Sequence, residues 1–203
     1  MTGQAVLGLV VALAIFVASP GPGVFAVIAR ALSHGFLASL SFIVGVILGD
    51  LSYLIFAILG LSAIATAFGQ FFIIVKTIGA FYLIYLGVSS WRSAKDVQAH
   101  KTDAEEKKQG LLAGLLLTLG NPKVILFYLG FLPSFVDLNS LSLQTGLSIV
   151  FLVALVIMLV LGTYAFFAAS LRGFFQKREA RANLARVSGA VLVSLGLLVI
   201  LKK

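Results

Sequence analysis

An apolar run from Ala5 to Ala29 is broken in its middle by Ser19-Pro20-Gly21-Pro22-Gly23. Each proline removes a backbone donor and clashes with the carbonyl four residues back. Pro20 thereby frees the carbonyl of Phe16, and Pro22 that of Ala18. No continuous helix passes through such a stretch. In a soluble chain it reads as a turn. In lipid, unpaired backbone is tolerated only where protein buries it or water reaches it.

The surroundings decide between the two. Of 203 residues, 61% are hydrophobic and 11% charged, and the mean hydropathy is +1.13. A soluble domain carries about a quarter charged residues, so the chain reads as an integral membrane protein. Six stretches approach the roughly 20 apolar residues that a crossing needs. They are Ala5 to Ala29, Phe36 to about Leu61, about Phe68 to Ser90, Leu111 to Leu132, Thr145 to Leu171, and about Leu184 to Leu201. Gly60, Gly69 and Gln70 mark the expected turn between the second and third. The first run has no Lys or Arg before Arg30, so it lacks the positive region of a cleaved signal. With no cysteine, disulfides and thiol chemistry are excluded.

The fourth stretch repeats the interruption at Asn121-Pro122-Lys123. Aligning Pro20 with Pro122 also places Gly8 on Gly110, Leu9 on Leu111 and Ser19 on Asn121. Lys76-x-x-Gly79-Ala80 has its echo in Arg186-x-x-Gly189-Ala190, and Leu86-Gly87 in Leu195-Gly196. Three spans per half is an odd number, so the second half enters the membrane from the opposite side. The fold class expected is all-α, six transmembrane helices as an inverted 3+3 repeat, in a single domain over 1–203. The halves are about 1–94 and 110–203, joined by a charged cytoplasmic hinge or short surface helix over 95–109. Matched interrupted helices in two halves point to a transporter's binding site. The competing reading is two unrelated proline kinks packed by neighbouring helices.

Basic residues give the orientation. Three connections on one side hold Arg30; Arg92, Lys95, Lys101, Lys107 and Lys108; and Arg172, Lys177, Arg178 and Arg181. The other side holds Lys202, Lys203 and a 133–144 loop carrying only Asp137. The positive-inside rule places both termini outside and the basic loops in the cytoplasm. The net charge of +8 is therefore an orientation signal, and no nucleic acid is expected as partner. Trp91 and Tyr128 or Tyr164 are candidates for the interfacial belt, and Lys76 and Arg186 for snorkelling to the headgroups.

Asp50 lies near the middle of the second span, in Gly45-Val-Ile-Leu-Gly49-Asp50. A carboxylate at that depth costs about 2.5–3.5 kcal/mol on insertion scales, and such acids usually mark ion or substrate paths. The alternative is a structural aspartate held by Lys123 or by freed backbone donors. Lys123 has three readings: meeting a substrate carboxylate, pairing with Asp50, or capping the Thr118 carbonyl freed by Pro122. Ser19 and Asn121 can bind ligand or cap the half-helices. Gly45 and Gly49 form a GxxxG, which packs helices within the chain or between subunits of a homo-oligomer. Neither His34 nor His100 has a metal-ligand partner at helical spacing, so no metal or cofactor is expected.

Four motifs in order carry a family resemblance: Ser19-Pro-Gly-Pro22, Gly45-Val-Ile-Leu-Gly-Asp50, Gly79-Ala-Phe-Tyr-Leu-Ile-Tyr-Leu-Gly87 and Asn121-Pro-Lys-Val-Ile-Leu-Phe-Tyr128. The chain resembles the LysE/RhtB family of bacterial amino-acid exporters along nearly its whole length. The resemblance implies a multi-pass protein of the bacterial inner membrane, in contact with lipid, that exports amino acids at the expense of the proton gradient. Where the family often carries Asp or Asn after Pro-Gly-Pro, this chain has Gly23. The substrate expected is a small neutral amino acid, held by Ser19, Pro20, Gly21, Pro22, Gly23, Asn121, Pro122 and Lys123. Freed carbonyls of Phe16, Ala18 and Thr118 would suit its ammonium, and Asp50 would carry the proton. The alternatives are a channel or exporter of the same fold for another small solute or a cation. An enzyme would need a convergent acid–base set, and Asp50 with Lys123 supplies a thin one.

Overall fold

The computed structural model describes residues 3–58, 65–93, 103–136, 141–172 and 178–201. Gly60, Leu61, Lys95, His100, Lys101, Asp137, Lys177, Lys202 and Lys203 lie outside the described residues, as do the side chains of Lys76, Arg178 and Arg181. All regular structure among the described residues is helical: α1 (Gly3–Ala18), α2 (Pro22–His34), α3 (Phe36–Ile58), α4 (Ala65–Ser93), α5 (Asp103–Leu119), α6 (Pro122–Leu126), α7 (Leu143–Leu171) and α8 (Arg178–Leu201). Beyond α6 the chain continues as a π-helical turn, Phe127–Phe131, and a 3-10 turn, Leu132–Ser134.

α3 and α7 are each long and apolar enough to cross a membrane, and α1 with α2 meets the same test as a pair bent by 61°. In α4 and α8 the apolar parts are shorter, Thr77–Ser89 and Arg186–Leu197. The expectation of six spans is therefore met in part, as an all-helical protein with apolar helices suited to a membrane. α7 shows why lipid is the fitting solvent. Ile149, Val153, Ile157 and Leu161 are buried at four-residue spacing, yet Leu147, Phe151, Leu155 and Leu159 are exposed on another face. A helix apolar on both faces is a buried or a membrane-spanning one.

Several boundaries differ from the sequence reading. Gly69 and Gln70 lie inside α4 and mark no turn. Arg30 and His34 belong to the last turns of α2, and the corner after it is Gly35, whose φ of 89° suits glycine alone. Residues 103–109 of the charged linker are the first two turns of α5, continuous with the fourth apolar stretch. Arg30 holds that segment down, donating from Nη2 to the Glu106 carbonyl at 2.7 Å and from Nε to the Ala38 carbonyl at 3.0 Å.

α3 packs closely on α5, and α4 on α8. A methyl group built at Gly45 would collide with the Leu111 carbonyl, and one at Gly114 with the Phe42 carbonyl. A methyl at Gly49 would meet Thr118 Cβ at 2.7 Å. The Gly45/Gly49 motif thus lets two backbones of the same chain touch. Because α5 covers it, the motif takes the first of its two readings, packing within the chain, and not that of a contact between subunits of a homo-oligomer.

Candidate functional site

Both interruptions are real breaks, and they meet. Residues 19–21 are bent, non-helical backbone between α1 and α2, and Gly120 and Asn121 separate α5 from α6. One cavity of about 40 Å³ is lined by Ser19, Gly21 and Gly23 from the first break, Thr118, Asn121 and Lys123 from the second, Asp50 from α3, and Ile157 and Leu161 from α7. The prolines do not face it: Pro20 and Pro122 are exposed. Their work is on the backbone. Pro22 is the first residue of α2 and Pro122 the first of α6, a position where proline's missing donor costs nothing. By place in the break, Pro122 therefore matches Pro22, where the sequence alignment had matched it to Pro20.

The second half-helices start differently. Asn121 Oδ1 accepts from the Lys123 N–H at 3.1 Å and so caps α6. Gly21 leads into α2 with extended dihedrals and no side-chain cap. The N-terminus of α2 thus brings bare N–H groups and the positive end of a helix dipole to the cavity wall, at Gly23 and Val24.

The freed carbonyls are each taken up. Lys123 Nζ donates to the Phe16 carbonyl at 2.7 Å, the Ser19 carbonyl at 3.0 Å and Ser19 Oγ at 2.7 Å. Ser19 Oγ donates in turn to the Phe16 carbonyl at 2.8 Å. The Tyr164 hydroxyl donates to the Ala18 carbonyl at 2.9 Å. The Asn121 N–H reaches the Thr118 carbonyl at 3.0 Å, and the Tyr53 hydroxyl donates to the Leu119 carbonyl. An ammonium has three donors, and all three of Lys123 go to the first break. Lys123 is thus neither the cap of Thr118 nor a hydrogen-bonded partner of Asp50, and the Thr118 carbonyl is not left free for a substrate.

Asp50 is 3% exposed. One of its carboxyl oxygens and the Tyr128 hydroxyl are both buried without a hydrogen-bond partner, although the two groups lie close together. An unmatched buried acceptor is costly, and this one sits on the cavity wall. No group of His, Cys, Asp or Glu suited to a metal occurs among the described residues.

Sequence reasoning missed the tyrosines. Tyr128 is fully buried and Tyr164 reaches the first break, so neither belongs to an interfacial belt. Only Trp91 of that trio is exposed, donating to the Arg186 carbonyl at 2.6 Å. A signal was available: Tyr53, Tyr128 and Tyr164 lie in strongly apolar stretches, where a buried phenol needs a polar partner, and freed carbonyls are natural ones. The Phe16 carbonyl was expected at the site, but the role of the Phe16 side chain was missed. Its ring lies 4.6 Å from Lys123 Nζ and stacks on Phe127 at 4.4 Å.

The family model of the LysE type translocator matches residues 14–203. An uncharacterised membrane protein of Synechocystis is 34% identical over 97% of this chain and 95% of its own length. A leucine efflux protein of Klebsiella pneumoniae is 29% identical over 85% of this chain and 82% of its own, and one of Enterobacter is 33% identical over 63% and 61%. No solved structure matches.

Proposed function

The chain belongs to the LysE type translocators, and we propose that it exports a small neutral amino acid, leucine or one of similar size, across the bacterial inner membrane by proton-coupled alternating access. It is a transmembrane transporter and not an enzyme. The leucine efflux proteins among its relatives support the substrate class. The observation that carries the reading is the single cavity where two broken helices meet a buried aspartate. A zwitterion needs an anion site and a cation site within a few ångströms of each other. The uncapped N-terminus of α2, at Gly21 to Gly23 behind Pro20 and Pro22, suits the carboxylate. Ser19 flanks it on the same break, Asn121 and Lys123 face it from the second break that Pro122 sets by starting α6, and Asp50 carries the proton.

The packing supports an inverted repeat in one transport domain over 1–203. The first broken helix packs on α7 and α8, the second on α3 and α4, while α3 packs on α7 and α4 on α8. Exchanging the halves turns these pairs into one another, while the contact of α2 with α3 has no counterpart of similar extent among the described residues. The glycines follow: a methyl at Gly87 would strike the Gly189 carbonyl on α8, and one at Gly196 the Ala80 carbonyl beside Gly79 on α4. Rocking of the halves about these crossings would open the cavity to either side. It has to open, since about 40 Å³ holds a few waters and no amino acid. Both termini lie outside, and the basic 91–110 segment in the cytoplasm.

The test is export itself. Cells loaded with leucine-containing or other dipeptides are expected to release the matching neutral amino acid faster when the chain is expressed. Equal release with and without expression, for every neutral amino acid tried, would remove the reading.

A further inference from the structure

We propose that the first break is a built site for a primary ammonium, that Lys123 fills it in the empty transporter, and that the substrate's α-ammonium displaces Lys123 when it binds. The proposal rests on the amino-acid reading and names the cation half of that site. Three oxygens, the carbonyls of Phe16 and Ser19 and the Ser19 hydroxyl, surround one Nζ at 2.7 to 3.0 Å. They match the three N–H donors of an R–NH₃⁺ group one for one. The Phe16 ring adds its face at 4.6 Å, held in place by its stack on Phe127, and such a face attracts a cation.

The chain makes this cradle deliberately. Pro20 takes away the N–H that a continuous helix would offer the Phe16 carbonyl, and the turn at 19–21 leaves the Ser19 carbonyl outside any helix. The cradle holds oxygens and an aromatic face but no carboxylate, which suits a monovalent cation, and its three oxygens answer the three N–H donors of an ammonium. A lysine side chain ends in the same chemical group as an alkylamine. It reaches the cradle from the other break, so its hydrogen bonds join the two halves across the cavity. While it stays, the cavity keeps its size of about 40 Å³. When a substrate ammonium takes its place, that link between the breaks is cut and the halves are free to part. Asp50 lines the same cavity and offers the displaced lysine a carboxyl.

A probe without a carboxylate reads the cradle alone. Binding of radiolabelled 3-methylbutylammonium to the purified full chain is compared with binding to Lys123→Met and Lys123→Arg. Removing an internal competitor that fills the site about nine-tenths of the time should tighten binding about tenfold in Lys123→Met. Lys123→Arg should bind no tighter than the unaltered chain. Adding Ser19→Ala to Lys123→Met should weaken binding again by removing one of the three acceptors. A folded Lys123→Met that binds the amine equally or more weakly overturns the proposal. Should that variant not fold, the unaltered chain answers instead. Acylation of Lys123, taken as a ratio to exposed Lys107, should rise when the amine is added, and an unchanged or lower ratio overturns the proposal. Amine results as expected in a chain that exports no amino acid would reject the export reading and leave the cradle standing. Normal leucine export with failed amine results would do the reverse.

Discussion

Asp50→Asn is expected to abolish proton-driven accumulation of substrate in reconstituted vesicles, down to the level of vesicles without protein, while substrate-for-substrate exchange continues. Asparagine keeps the size of the side chain and removes the proton that it can take up or release. The expectation rests on position. Asp50 is the acidic residue on the cavity wall, it is 3% exposed, and one of its oxygens has no partner. A structural aspartate at this depth would have its acceptors matched by donors. The Tyr128 hydroxyl lies beside it and is buried with no other partner, so water entering the cavity is what would reach the carboxyl. Exchange is the control, because it needs binding and rocking but no net proton movement. Unchanged accumulation with an unchanged pH dependence would make Asp50 structural and put the proton path elsewhere.

The largest effect on stability is expected at the α3–α5 crossing. Gly45→Leu or Gly114→Leu should sharply lower the fraction of monodisperse, folded protein recovered from membranes, and Gly45→Ala should lower it measurably. Overpacking costs about 1–3 kcal/mol where neighbouring side chains can yield. At Gly45 and Gly114 the obstacle is the backbone of the facing helix, so the cost lies at the top of that range. Helices in lipid gain from close approach, not from expelling water, so separating the pair forfeits packing directly. Gly146→Leu and Gly162→Leu are the matched controls: a methyl at either meets nothing within 4 Å, and normal recovery is expected. Fluorescence-detected size exclusion with an SDS-unfolding series checks all five variants. Equal recovery for Gly45→Leu and Gly162→Leu would mean that α3 and α5 do not meet there.

Much of this site was legible in the sequence, for a local reason. A proline inside an apolar run must break the helix wherever the chain folds, and an aspartate in lipid must face protein or water. Those two rules placed both breaks and Asp50 without a structure. The same rules could not say what answers the broken backbone, because the partners are remote in sequence. Lys123 bonds Phe16 from the other half, and Tyr164 reaches Ala18 from α7. Nothing near Lys123 tells its first-break target from Asp50 or from the carbonyl of Thr118. The pairing of the prolines was hidden for another reason. Pro20 and Pro22 are equal candidates on paper, and only the helix start shows that Pro22 holds the place of Pro122. The π-helical turn carrying Tyr128 was invisible too, since it depends on a hydrogen-bond shift with no sequence mark.

The claim that the substrate sits between the two breaks is tested most directly at Gly23. A side chain begun there meets only Leu117 Cδ2, at 4.0 Å, and lines the cavity. The chain has no cysteine, so Gly23→Cys introduces a single thiol. Its alkylation rate by a small water-soluble reagent is measured in vesicles, with and without saturating amounts of the exported amino acid. Substrate is expected to slow labelling strongly at Gly23→Cys and to leave a cysteine at exposed Ser148 unaffected. A Gly23→Cys protein that still exports, and is labelled equally fast with the site saturated, would contradict a substrate site between the breaks.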